Sequence, residues 1–294
     1  MGLGMAPEMI ADYGCVTGEG PLWHEAEGRL YWVDIPRARL LRYEPGTGRH
    51  EEVYRGGEGE VSGGFTIQND GALLLFGERG TVRVWRDGAV ATVIEEIEAE
   101  QGSRFNDVIA DPEGRVWCGT MPDGERPGRL YRLDPDGTLT VVLEDAGLSN
   151  GMGFTPDHSG MYHTDSAKGT ITLYGYDQMD GTLANGRVIV SVPGEAGVPD
   201  GMAVDEEGDV WSARWDGGAL YRYRPDGTEL ARVAFPARQV SSVTFGGPGY
   251  EDAYVTTAGG DDRTRNGAGA GALFRVRLGV RGRAPFLSRV RTEG

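Results

Sequence analysis

Apolar and polar positions alternate along this chain in short runs, the runs are broken by turn residues, and the arrangement recurs. The clearest unit lies at residues 108–119. Val108, Ile109 and Ala110 read as an apolar strand, Asp111-Pro112-Glu113-Gly114 as a turn, and Arg115-Val116-Trp117-Cys118-Gly119 as the returning strand. Proline pre-sets φ in such a turn and glycine is free to take a positive φ. The same turn-and-strand marker occurs at residues 25–32, 68–75, 155–162 and 205–211, and in looser form at 246–255. Its glycines, including Gly28, Gly71, Gly114, Gly160 and Gly208, recur about every 40 to 50 residues, the spacing of propeller blades. A second hairpin follows each marker. In residues 128–137 and 218–227, for example, apolar and polar residues alternate before a Pro-Asp-Gly turn, so one strand face packs and the other meets water. Four short strands per unit and six units predict an all-β fold, a six-bladed β-propeller, with residues 1–294 as one domain. Helical periodicity is nearly absent, and residues 95–101 read as part of a connecting loop. The ring must also be closed, and either residues 9–16 or the tail at 273–280 is expected to complete the last blade.

Composition sharpens this picture. The 49 glycines are spread along the 294 residues, so they mark turns and not a disordered tract. A formal net charge of −16 argues against nucleic-acid and anionic-membrane partners, which are held by basic patches. Two cysteines, Cys15 and Cys118, make no disulfide framework and read as buried thiols. No apolar run approaches the roughly 18 residues of a membrane span, and residues 1–15 lack the basic and apolar regions of a signal peptide. The expectation is a cytoplasmic protein, a monomer or small homo-oligomer.

The segments entering each innermost strand gather at one mouth of a propeller's channel, and here they are polar. They include Thr17-Gly18-Glu19-Gly20-Pro21, Arg104-Phe105-Asn106-Asp107, Leu148-Ser149-Asn150-Gly151-Met152 and Val198-Pro199-Asp200-Gly201-Met202. Glu19, Asn150 and Asp200 read as equivalent positions aimed at one axis, with Asn106 joining from the third blade. Two carboxylates and two amide oxygens make a hard oxygen site that suits Ca²⁺, Mg²⁺ or Mn²⁺, with Zn²⁺ and Fe²⁺ as alternatives. The competing reading is that Asx-Gly pairs only form turns. It accounts for Asn150-Gly151 and Asp200-Gly201, but not for Glu19 or for the Arg104/Asn106 pair.

These residues, together with Leu22-Trp23, Val33-Asp34-Ile35, Gly119-Thr120-Met121, Thr164-Asp165-Ser166 and Gly282, Pro285 and Phe286 in the tail, resemble the SMP-30/gluconolactonase family of regucalcin-like sugar lactonases over nearly the whole chain. The resemblance implies a six-bladed propeller with one divalent metal ion in the channel, Ca²⁺ first among the candidates. It implies Glu19, Asn150 and Asp200 as metal ligands, Arg104 and Asn106 as substrate-binding residues, and Asp200 as general base. The chain departs from the family in carrying Gly20 where Ser is frequent. Some members place a substrate-contacting Glu shortly after Gly-Thr-Met; here Asp123 or Glu125 stands in that stretch.

The function expected from this resemblance is metal-dependent opening of a small-molecule sugar lactone to the aldonic acid. A phosphotriesterase-like metal hydrolase and a non-enzymatic calcium- or ligand-binding propeller are the alternatives. Ser62 and Ser149 lack a nucleophile-elbow Gly-x-Ser-x-Gly, which argues against a serine hydrolase. His163 reads as a satisfied pocket histidine and Asp165 as a residue that orders the channel. His24, His50 and His158 read as solvated turn residues. Trp117 and Trp211 read as packing residues, and Trp215 as a candidate wall of the substrate pocket.

Overall fold

The computed structural model describes residues 6–124 and 126–292. These residues form six sheets of four antiparallel strands, the six blades of a propeller. In blade 1 the strands run outward from the axis as Gly18–His24, Arg29–Asp34, Arg39–Glu44 and Arg49–Arg55. The inner strands of blades 2 to 5 are Ser62–Ile67, Phe105–Ala110, Ser149–Phe154 and Val198–Val204. Blade 6 is assembled from both ends of the chain. Val240–Gly246, Asp252–Thr257 and Ala272–Arg277 are followed outward by Glu8–Asp12. Both segments considered for ring closure therefore take part: Glu8 pairs with Arg275 and Asp12 with Ala272.

Burial follows the order of the strands. The inner strands Ser62–Ile67 and Val240–Gly246 are buried throughout, whereas the outermost strands Ala89–Ile94 and Glu229–Ala234 are largely exposed. The apolar positions of neighbouring blades interleave into cores between blades. Leu74, Phe76, Val116, Cys118 and Leu133 meet between blades 2 and 3, and Trp211, Leu220, Val243, Val255 and Phe274 between blades 5 and 6. Removing this apolar surface from water holds the ring together. Both cysteines are free and buried, and burial pushes the Cys15 thiol up to about 12.

The repeated marker has a physical basis. One oxygen of Asp111 accepts the Glu113 and Arg115 amides at 2.9 and 3.0 Å, and its other oxygen accepts the Trp117 indole N–H at 3.3 Å. Asp205 does the same for Glu207, Asp209 and Trp211, each at 3.0 Å. The acid thus closes the turn and fixes the packing tryptophan. Gly114 and Gly208 take positive φ in these turns. In blade 4 that position belongs to His158, with φ of 57°, and not to Gly160. His158 is bonded to Gln178 and Arg283 and packs on Phe286, so it is a tail anchor and not a solvated residue. His24 is likewise buried, with Nε2 3.2 Å from the Gly71 carbonyl in the next blade.

The tail crosses the end of the channel opposite the polar mouth. The Arg281 carbonyl accepts the Glu206 amide, Ser288 donates its amide to the Ile67 carbonyl, and Arg289 donates its amide to the Gly114 carbonyl. Above it lies a cavity of about 150 Å³ lined by Leu22, Phe65, Met152, Met202, Phe245 and Pro285 among others. The loop at residues 95–104 contains a 3₁₀ turn, Glu98–Glu100. Buried Glu100 accepts the Tyr131 hydroxyl at 2.6 Å and pairs with Arg126 at 2.9 Å, which holds the loop leading to Arg104. Among the described residues, no helix is long and apolar enough to cross a membrane.

Candidate metal and substrate site

The polar segments lie within the inner strands themselves and not in loops that precede them. In all six blades the register between the inner strand and its neighbour slips near the same end. The slips fall between Glu19 and Leu22, Ser62 and Gly64, Phe105 and Val108, Ser149 and Met152, Pro199 and Met202, and Val240 and Ser242. Such a β-bulge adds one residue to a strand and re-aims the side chains beside it. Asn106-Asp107, Asn150-Gly151 and Asp200-Gly201 fill three of these bulges, so the Asx-Gly pairs are bulges within strands and not turns. A Cβ on Gly151 would lie 2.5 Å from the Asp200 carbonyl oxygen, and one on Gly201 would lie 2.1 Å from Ser242 Oγ. Glycine at these two places lets adjacent inner strands approach backbone to backbone.

The register also corrects one equivalence. Asn106, Asn150 and Asp200 are matched positions, each one residue after the last pair before the bulge and two before the residue at which pairing resumes. Glu19 stands one position earlier, opposite Val33, where the other blades carry Phe105, Ser149 and Pro199. Its carboxylate nevertheless comes close enough to Asp200, Asp107 and Arg104 to interact electrostatically with all three.

A hydrogen-bonded chain links three blades. Arg104 Nη1 donates to Asn106 Oδ1 at 2.9 Å, and Asn106 Nδ2 donates to the Ser149 carbonyl at 3.0 Å. Asn150 Nδ2 donates to Ser166 Oγ at 3.1 Å, and Ser166 Oγ donates to the Pro199 carbonyl at 2.6 Å. Asn150 Oδ1 is buried and has no partner. Glu19, Asn106, Asn150 and Asp200 are all buried.

The charges are unbalanced. Burial pushes the Glu19 and Asp200 carboxyls well above the usual range, and neighbouring carboxylates push them further. Burial also pushes Asp107 up to about 7, opposed by the Arg104 guanidinium. Arg104 is itself drawn down by burial, against the pull of the three carboxylates. Three acids, Glu19 and Asp200 buried and Asp107 half-buried, thus face one cation. Asp107 belongs to this group, although the sequence reading gave it no role. The available signal was its place in the same quartet as Arg104 and Asn106.

Other candidates are placed differently. Asp123 is half-buried and packed over Gly102, with its carboxylate 3.9 Å from Arg126, and the structure does not bring it to the acid cluster. Glu125 lies outside the described residues. Ser149 Oγ and His163 Nε2 are 2.8 Å apart, but a serine-hydrolase reading is excluded by packing. Both side chains are buried, and a Cβ on Gly119 would fall 2.1 Å from Ser149 Oγ, which leaves no space for a substrate. Burial pushes His163 down to about 4, so it is neutral at pH 7. Asp165 accepts the Leu148 and Lys168 amides at 3.2 and 3.1 Å, an ordering role at the loop before Asn150. Trp215 ends the second strand of blade 5, half-buried at the same end of the ring.

Among the described residues, no three His, Cys, Asp or Glu side chains are grouped so as to hold an ion by themselves. The candidate set is instead two carboxylates and an amide. It fits a hard divalent cation on two grounds: the unpartnered, buried Asn150 Oδ1, and a surplus of acids over cations that makes ionisation of Glu19 and Asp200 unfavourable without a further positive charge.

A six-bladed propeller with a buried cluster of oxygen donors at one mouth is therefore the class to which this molecule belongs. Residues 17–259 match the SMP-30/gluconolactonase/LRE-like region, and the chain belongs to that family. The pentonolactonase XacC of Haloferax volcanii is 47% identical over 294 residues, covering 98% of this chain and 99% of that protein. The regucalcin of Xenopus laevis is 33% identical over 280 residues, covering 91% and 93%. A solved structure of a calcium-binding regucalcin from Agrobacterium tumefaciens superposes with a TM-score of 0.88 at 26% identity, covering 97% of this chain and 98% of that one.

Proposed function

We propose that this protein is a divalent-cation-dependent lactonase that opens a sugar lactone, of the aldonolactone type, to its hydroxy acid. The observation that carries the reading is the unpartnered Asn150 Oδ1, buried at the same mouth as the carboxylates of Glu19 and Asp200. The named activity of the pentonolactonase relative and the gluconolactonase family supply the substrate class.

In this reading Glu19, Asn150 and Asp200 hold the cation. Bound there, a divalent ion, Ca²⁺ first, supplies electrophilic polarisation of the lactone carbonyl and offsets the excess negative charge. Arg104 and Asn106 are already joined at 2.9 Å, and this pair binds the substrate's hydroxyl and ring oxygens. Asp123 contacts the substrate from outside the acid cluster. Asp200 takes a proton from the attacking water as the water oxygen bonds to the carbonyl carbon. The proton passes to the ring oxygen as the ring C–O bond breaks, giving acid and alcohol in one molecule. A polar, hydrogen-bonding mouth suits a polyhydroxylated lactone better than an acyl-chain lactone.

The test is acid release from a panel of pentono- and hexonolactones, with and without chelator, alongside phosphotriesters. Chelator-sensitive release, restored by added Ca²⁺ or Mn²⁺, is the expected outcome. Turnover confined to phosphotriesters, or cation binding without turnover, would replace this reading with one of its alternatives.

A further inference from the structure

Asn150 is useful to a cation only when its oxygen, and not its NH₂, faces the site. The two ends of an amide have nearly the same shape, so something outside the site must choose between them. The structure shows what does. Ser166 Oγ lies 2.6 Å from the Pro199 carbonyl oxygen and 3.1 Å from Asn150 Nδ2. A carbonyl can only accept, so the single hydroxyl proton of Ser166 is committed to Pro199. Toward Asn150 the hydroxyl can therefore only accept, and the amide must present its NH₂. The other end, Oδ1, is left buried and unpartnered at the mouth. Ser166 is itself buried, so no solvent competes for either bond. The residue it grips in blade 5, Pro199, immediately precedes Asp200.

We propose that Ser166 is a positioning residue that selects the amide orientation of Asn150 and ties it to the strand carrying Asp200. It touches neither substrate nor cation. This inference rests on the proposal that Asn150 is a cation ligand. It adds that the ligand's orientation at the site is set by a hydroxyl on a neighbouring strand end, acting together with the Asp200 carboxylate, to which the Asn150 side chain is also hydrogen-bonded. Outer groups that orient a ligand in this way typically contribute about 10- to 100-fold in metal affinity.

The experiment is a double-mutant cycle read by calorimetric titration of the chelator-treated full chain with Ca²⁺ alone. The variants are Asn150→Ala, Ser166→Ala, Asn150→Asp and the Asn150→Asp/Ser166→Ala pair. Melting in chelator verifies that each variant is folded. A carboxylate has two equivalent oxygens and needs no orienting partner. In the wild-type background, Ser166→Ala is therefore expected to weaken Ca²⁺ binding about 10- to 100-fold. In the Asn150→Asp background the same substitution is expected to change binding within about twofold. An equal loss in both backgrounds would mean that Ser166 acts through packing alone and would overturn the inference. No loss in the wild-type background, while Asn150→Ala abolishes binding, would overturn it and leave the site intact. Undiminished Ca²⁺ binding in Asn150→Ala would overturn the ligand assignment itself, and the inference with it.

Discussion

The mouth of the channel and its tail-closed end are built by the same six inner strands. At the mouth every inner strand bulges; blades 1, 3, 4 and 5 bring acids, amides and a guanidinium there, and blades 2 and 6 bring Ser62 and Ser241-Ser242. Beyond the bulges the register is regular, and the same strands line a cavity that reaches Asp107 at the mouth and is otherwise walled mainly by apolar side chains such as Leu22, Phe65, Met152, Met202 and Phe245. The cavity is closed by the tail, where Phe286 packs on Phe154 and His158. Buried acids facing too little positive charge cost stability, whereas interleaved apolar side chains supply it. The half that stores unfavourable electrostatics is the half we assign to chemistry, and the other half carries the fold. Substitutions in the two halves are therefore expected to separate activity from stability.

The largest effect is expected at Asp200. Asn150 already contributes an amide at the matched register position, so Asp200→Asn keeps an oxygen for the cation but cannot take a proton from water. At saturating cation, with occupancy measured on the same sample, turnover is expected to fall about 10²- to 10⁴-fold. Near-wild-type turnover in a fully loaded variant would remove the base role. Rate restored in full by more cation would leave Asp200 as a ligand only.

Arg104→Ala comes next. It removes a charge-assisted contact worth on the order of 1.5 to 3 kcal/mol, roughly 10- to 150-fold in kcat/KM. Cation affinity is expected to change little, which a Ca²⁺ titration checks. Collapse of cation binding in a folded variant would make Arg104 a structural counter-charge to the acids instead.

A third effect tests stability within the mouth half. His163 titrates near 6.5 when unfolded and is pushed down to about 4 in the fold by burial. The unfolded chain therefore binds the proton first as pH falls. Stability from this group is complete above about 6.5, is lost progressively as pH falls toward about 4, and falls no further below that. The loss by pH 5 is about 2 kcal/mol. His163→Gln, which can still bond Ser149, is expected to lose less stability than wild type between pH 7.5 and pH 5. Melting curves of the two proteins that shift in parallel would show that His163 does not titrate in this way.

The smallest effect belongs to the tail-closed half. Phe286 is half-buried, and Phe286→Ala is expected to cost about 1 to 2 kcal/mol of stability with turnover at 25 °C unchanged. Denaturant unfolding and a lactonase assay on one preparation check both statements. A loss of turnover without loss of stability would contradict the division of the channel drawn above.

What the sequence by itself determined is what depends on local pattern. Alternation and the Asp-x-x-Gly turns are short-range signals, so six blades, the packing tryptophans Trp117 and Trp211, and the two buried thiols were all legible. Glu19, Arg104, Asn106, Asn150 and Asp200 stood out as polar residues in the segments entering the inner strands; the structure places all but Arg104 within those strands, and their roles are our proposal. The tertiary structure decided whatever depends on a partner far along the chain. It put Glu8–Asp12 on the edge of the last blade and His24 against Gly71. It converted the Asx-Gly turns into bulges, because adjacent inner strands come into backbone contact at Gly151 and Gly201. It added Asp107 to the acid cluster and set Ser166 between Asn150 and Pro199. No spacing rule reports these contacts, since a hydrogen bond or an electrostatic interaction between blades depends on distances that exist only after the ring has closed.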